Sequence, residues 1–137
     1  MPKPRKAWMI TPAKSPKLPV PDSIKAELEA KATDLIENVL KPMHVHKPTG
    51  DERFNFITDI GTRWYRNYFY LVSTYACPGP DALSPTFESE FARMEYLGSG
   101  KFALYFMRHT GKWFRLYDAL SVDQSMEAIR DVPWFVP

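Results

Sequence analysis

The sequence is poor in cysteine, glycine and histidine, with one, six and three of them in 137 residues. The single cysteine, Cys77, excludes an internal disulfide and a structural zinc site built on thiolates, and it fits a reducing compartment. The few glycines form neither a P-loop nor a dinucleotide-binding pattern, so no loop is built to cradle phosphates. Long apolar runs are missing as well. Those present, such as Tyr68 to Val72, are short, whereas a membrane-spanning helix needs about 20 apolar residues. The first twenty residues are basic and broken by prolines, without a continuous apolar stretch, so a secretory signal is not expected. These absences together predict a cytoplasmic protein with no membrane association.

A clear charge excess is also lacking in most of the chain. The net charge is +2, but residues 1–21 carry Lys3, Arg5, Lys6, Lys14 and Lys17 without an acid, which leaves residues 22–137 at −3. What the sequence has in abundance is proline, with 13 residues, and aromatic rings, with nine Phe, seven Tyr and four Trp. Hydrophobic residues at 45% and charged residues at 25% are ordinary for a globular chain of one domain.

Residues 1–21 read as a Pro-rich basic arm, because Pro2, Pro4, Pro12, Pro16, Pro19 and Pro21 remove donors and favour extended backbone. Trp8, Met9 and Ile10 give this arm an apolar cluster able to pack across the body or a neighbouring subunit. Residues 22–137 read as a single α+β domain. Asp22 or Ser23 serves as N-cap, and Ile24, Leu28, Leu35, Ile36, Val39 and Leu40 share one face of a long helix. Lys41-Pro42 is expected to end it. Lys25 and Glu29 fall on its other, solvated face.

From Phe54 the pattern turns to aromatic and β-branched residues punctuated at Gly61, Pro78-Gly79-Pro80, Gly98-Ser99-Gly100 and Thr110-Gly111. Strands are predicted near 54–61, 65–75, 90–97, 102–108 and 112–117, as a five-stranded, largely antiparallel meander. The segment from Cys77 to Thr86 is a longer loop that crosses a sheet edge or makes a surface excursion. Ser121 and Gln124 form a capping box for a short helix carrying Val122, Met126 and Ile129 and ending near Asp131, after which Pro133-Trp134-Phe135 offers two rings for docking.

Three segments carry a likeness to a known family: Phe91-Ala92-Arg93-Met94-Glu95-Tyr96, then Met107-Arg108-His109-Thr110-Gly111-Lys112-Trp113 with Tyr117, then Ser125-Met126-Glu127-Ala128-Ile129 with Pro133. Over this C-terminal half the chain resembles a small bacterial family catalogued as a domain of unknown function, number three thousand and twenty-four. The resemblance implies the fold and a bacterial, cytoplasmic setting; it brings no activity, cofactor or catalytic residue.

Chemistry-bearing residues are scattered. His44 and His46, two apart, would point to one side of an extended segment and begin a metal site, but a third ligand would have to come from His109, Asp51, Glu52 or Cys77. Neither a metal nor any other cofactor is expected. A nucleophilic site at Cys77, or one near His109, needs a base and an acid that only folding can supply. Asp59, Glu88, Glu90, Glu95 and Asp118 single out no acid/base pair, and Glu95 reads as an ion-pair partner of Arg93 on the same strand face.

The remaining constellation interleaves cations with rings: Arg63, Trp64, Arg66, Tyr68, Tyr70, Arg93, Arg108, His109, Trp113 and Arg115. Strand alternation puts Trp64, Arg66, Tyr68 and Tyr70 on a wet face, and Tyr65, Phe69, Leu71 and Tyr75 on the apolar side under the helices. Such a face suits a non-enzymatic protein-interaction or structural module whose partner is another protein or a second copy of the chain. Single-stranded nucleic acid is the alternative, since stacked rings and cations would also serve it, but the charge of −3 over residues 22–137 opposes it. An enzyme with a site near Cys77 or His109 is the third reading.

Overall fold

The computed structural model describes residues 18–46 and 54–137. A helical run opens with α1 (Asp22–Leu35), passes through a π-helical turn (Ile36–Leu40) and ends in α2 (Lys41–His44). Five strands follow, β1 (Phe56–Tyr65), β2 (Tyr68–Ala76), β3 (Thr86–Gly98), β4 (Lys101–Met107) and β5 (Trp113–Leu120), and then α3 (Val122–Asp131). The strands lie side by side in sequence order, every neighbouring pair antiparallel, so the sheet is the expected meander.

The helices cover one face of this sheet. Leu28, Ala32, Leu35, Ile36 and Leu40 from the first run and Val122, Met126 and Ile129 from α3 join Phe69, Leu71, Met94, Phe102 and Leu104 in one buried cluster. One cross-strand row, Trp64, Phe69, Met94, Leu104 and Tyr117, runs through all five strands on this side. Lys31 of α1 and Asp123 of α3, 2.5 Å apart, tie the two helices together at the surface. The packed region begins ahead of α1, since Val20 is buried in the same cluster. Residues 1–17, with the Trp8-Met9-Ile10 cluster, lie outside the described residues.

Several boundaries differ from the sequence reading, each for a local reason. Pro21, rather than Asp22 or Ser23, precedes the first helical residue, and its carbonyl accepts from the Lys25 N–H at 3.0 Å. Pro42 does not stop the helix. Proline lacks an N–H and its ring strikes the carbonyl four residues back in a regular α-helix. Here the Lys41 N–H reaches back five residues to Ile36, and the wider π turn shifts the carbonyls that the ring would meet, so the helix continues to His44.

Gly61 is not a turn. It lies within β1, opposite Val72, and the first hairpin reverses at Arg66-Asn67, between the paired residues Tyr65 and Tyr68. Arg66 there holds φ 58°, which two-residue hairpins require and which costs a residue with a Cβ. Ser99 and Gly100 close the third hairpin with φ 53° and 72°. The connection after Cys77 is a closed surface excursion, the Cys77 N–H donating to the Pro85 carbonyl at 2.8 Å. Thr86 already belongs to β3, which starts ahead of the expected residue 90.

At α3 the capping box forms as read. The Gln124 N–H donates to Ser121 Oγ at 3.1 Å and the Ser121 N–H to Gln124 Oε1 at 2.9 Å. Ser121→Ala is expected to lower stability by about 1 kcal/mol through the lost cap, measured as a reduced urea midpoint with an unchanged slope.

Candidate functional site

The face away from the helices is built by strand register. Arg63 of β1 stands opposite Tyr70 of β2, Tyr70 opposite Arg93 of β3, Arg93 opposite Tyr105 of β4, and Tyr105 opposite Arg115 of β5. Directly opposed residues share a face in an antiparallel pair, so the sheet carries a straight row in which arginine and tyrosine alternate. Tyr68 and Glu95, paired with each other, and Met107 and Trp113, likewise paired, flank this row.

The centre of the row is crowded. The Arg93 guanidinium lies 4.1 Å from the Tyr105 ring centroid, 4.8 Å from Tyr68 and 5.0 Å from Trp113. Tyr70 and Trp113 come from strands three ladder steps apart, a span of about 14 Å. Their ring centroids are nevertheless 5.9 Å apart, so the two side chains close over the middle of the sheet. Among the described residues Arg93 Nε is buried without a hydrogen-bond partner. A buried donor left unmade is costly, and three ring contacts do not replace the missing acceptor.

The ends of the row are neutralised. Arg63 pairs with Glu88 and, at 3.3 Å, with Glu90. Arg115 pairs with Asp118 at 3.1 Å. Glu95, expected to pair with Arg93, accepts a hydrogen bond from the Tyr105 hydroxyl at 2.8 Å.

Burial, followed by that contact with Glu95, pushes the Tyr105 phenol above its ordinary value, and burial does the same to Tyr75. The folded state therefore holds these protons more tightly than the unfolded chain. Their contribution to stability is complete below about pH 10, the ordinary tyrosine value, and is lost as pH rises through the higher folded values. Tyr105→Phe is expected to make the alkaline fall in stability shallower, as read from urea midpoints across the alkaline range.

The structure brings Arg63, Tyr68, Tyr70, Arg93, Trp113 and Arg115 of the expected set onto one face, and it moves the others elsewhere. Trp64 is on the helix side. It faces Phe69 at 4.8 Å between ring centroids, donates through Nε1 to Glu29 at 2.7 Å, and lies under the Lys25 ammonium at 5.2 Å. Glu29 stays exposed and Lys25 half-buried, as a solvated helix face requires, while both reach over the edge of this ring. Arg66 occupies the hairpin turn, 5.2 Å from the Tyr65 ring. Tyr65 itself, assigned to the apolar side, stands opposite Tyr68 and is 55% exposed. Arg108 and His109 lie at the β4–β5 hairpin, beside a separate groove.

Tyr105 is the residue of this candidate face that the sequence reading left out. Its strand, Lys101–Met107, is apolar almost throughout, so no polar alternation marks which side chains face outward.

The other candidate centres do not assemble. His44 ends a helix and Val45 is extended, so the two histidines do not lie in one extended segment; the His46 ring packs edge-on to Phe56 at 5.1 Å. Among the described residues no three His, Cys, Asp or Glu side chains gather, and Asp51 and Glu52 lie outside those residues. Cys77 is half-buried beside a cleft lined by residues such as Leu83, Ser84 and Phe87, with no histidine or carboxylate among its described lining. Among the described residues no helix is long and apolar enough to cross a membrane.

A meander sheet with helices on one side and a ring-and-arginine row on the other defines a small α+β domain. The chain belongs to the family described as Domain of unknown function (DUF3024), which matches it over residues 20–137. No curated protein and no solved structure matches it.

Proposed function

We propose that this domain is a non-enzymatic interaction module of the cytoplasm whose contact surface is the row from Arg63 to Arg115 with Tyr68 and Trp113 beside it. The observation that carries this reading is Arg93, a guanidinium set among three rings with its buried Nε–H still lacking an acceptor. Tyrosine, tryptophan and arginine are the residues that dominate binding energy between proteins, where they sit at the centre of a patch under a partner that excludes water. A partner's carbonyl or carboxylate oxygen over Arg93 would satisfy the donor and cover the rings in one step. The partner is a second copy of the chain or another protein.

Single-stranded nucleic acid fits less well for two reasons visible in the same row. Its outer arginines already answer to Glu88, Glu90 and Asp118, which leaves little field to attract phosphates. The rings that would stack on bases are engaged with Arg93 and with each other.

Light scattering of the full chain over a dilution series tests the first partner, and affinity capture from a lysate of the source cell, compared with an Arg93→Ala chain, tests the second. Self-association or a captured protein that Arg93→Ala abolishes supports the proposal. A chain that stays monomeric and captures nothing sensitive to Arg93 sinks it. Filter binding to a single strand at two salt concentrations reports the rival, because phosphate contacts predict affinity that falls steeply with salt.

A further inference from the structure

A second surface lies apart from the arginine and tyrosine row. Between the β4–β5 hairpin and the C-terminal tail opens a groove of about 570 Å³, walled by Phe106, Phe114 and Leu116 from the strands and by Trp134 and Val136 from the tail, with Arg108 at the hairpin end. Phe106 forms the inner part. Trp134 stacks on it at 5.5 Å with 20° between the planes, and Phe114 is 5.4 Å away. The outer parts remain in water, since Phe114 is 43%, Trp134 61% and Val136 63% exposed. Among the described residues, folding has therefore gathered an apolar trough without filling it.

The trough has a polarity. Among its described lining residues there is no Asp or Glu, while the exposed Arg108 guanidinium stands 5.7 Å from the Phe114 ring, with His109 beside it. A greasy channel ending in a cation without a carboxylate among its walls complements a molecule with an apolar body and one anionic end. Guanidinium groups take carboxylates through two parallel hydrogen bonds. The volume falls within the range of about 300–1,000 Å³ usual for small-ligand sites.

We infer that this groove binds a small amphiphilic carboxylate of the acyl-chain type, its chain along Phe106 and Trp134 and its carboxylate on Arg108. Met107, beside the row, also reaches this groove, but none of the residues of the proposed contact surface line it, and each proposal can fail without the other.

Dodecanoate, titrated calorimetrically into the full chain below its micellar range, tests the inference, with dodecanol as the uncharged probe. Saturable binding of one dodecanoate per chain is expected, with dodecanol weaker by roughly tenfold for the lost charge-assisted contact. Arg108→Leu, a change at an exposed residue, is expected to lower dodecanoate affinity by roughly the same factor while leaving dodecanol unchanged. Trp134→Ala should weaken both probes, and Arg93→Met should weaken neither. Circular dichroism of the variants guards against misfolding. The inference is overturned if dodecanoate does not saturate, if dodecanol binds as tightly, if Arg108→Leu leaves dodecanoate affinity unchanged, or if an apolar peptide with an amidated end binds as well as dodecanoate.

Discussion

Phe69→Ala is expected to cost the fold about 3–5 kcal/mol, the range for removing a fully buried aromatic ring. Phe69 has no exposed surface, stands between Trp64 and Met94 in the cross-strand row, and joins the cluster that holds α1 and α3 to the sheet. Its removal leaves a hole where neither side can close easily. The strands on both sides are fixed by their ladders, and Trp64 is held from above by Glu29 and Lys25. For a domain with an ordinary stability of about 5–15 kcal/mol this consumes a large share. Urea unfolding reads the loss directly, and Phe69→Leu, which refills most of the volume, should recover the greater part of it. A loss below about 1 kcal/mol would mean that the helices do not depend on this row.

The elements whose signals are local were legible in the sequence. Ser121 and Gln124 specify their own helix start because both hydrogen bonds of the box lie within four residues. Gly98-Ser99-Gly100 marks a hairpin because positive φ angles are needed there, and Gly98 itself holds φ 98° with Leu18 Cδ1 3.3 Å from where a Cβ would stand. The meander followed from such turns. The face of each ring was harder to read, because it depends on register, and register depends on the length of every preceding turn. The first hairpin turns at Arg66-Asn67, without glycine or proline, while the glycine nearby, Gly61, sits in an edge strand with open space around it. Taking Gly61 as the turn carried the alternation of the 65–75 strand back to Trp64 and so put Trp64 and Tyr68 on one face. The true two-residue turn sets Trp64 opposite Phe69 and sends it to the helices.

The same register argument explains why the candidate surface survived that error in part. Tyr68 and Tyr70 keep their alternation within β2 wherever the preceding turn falls, and Arg93 and Glu95 keep theirs within β3. The sequence could not show that these alternations align across strands into a row, because each alignment is a long-range pairing. Nor could it show that the bulge between Leu71 and Val72 would set Glu90 and Glu88 within reach of Arg63. Charge cancellation along the row is thus a property of the folded sheet, and it leaves little positive field for phosphates.

Arg93→Met is expected to separate stability from binding. In the free domain the guanidinium gains cation–π contacts worth about 0.5–1 kcal/mol each at exposed sites, but it leaves Nε–H buried without an acceptor, a penalty of about 1–3 kcal/mol. These effects oppose each other, and methionine fills similar space with a polarisable side chain that packs well on the Tyr68, Tyr105 and Trp113 rings. The urea midpoint should accordingly stay within about 1 kcal/mol of the parent. Partner affinity should fall by about 2 kcal/mol or more, roughly thirtyfold, as for a residue at the centre of an interface. Denaturation curves and light scattering, or binding to a captured partner, measure the two quantities on the same preparation. If Arg93→Met unfolds the domain, the guanidinium is a structural strut. If it leaves both stability and association intact, the contact surface lies elsewhere on the molecule. A folded domain that has lost its partner is the outcome that an unsatisfied arginine among rings predicts.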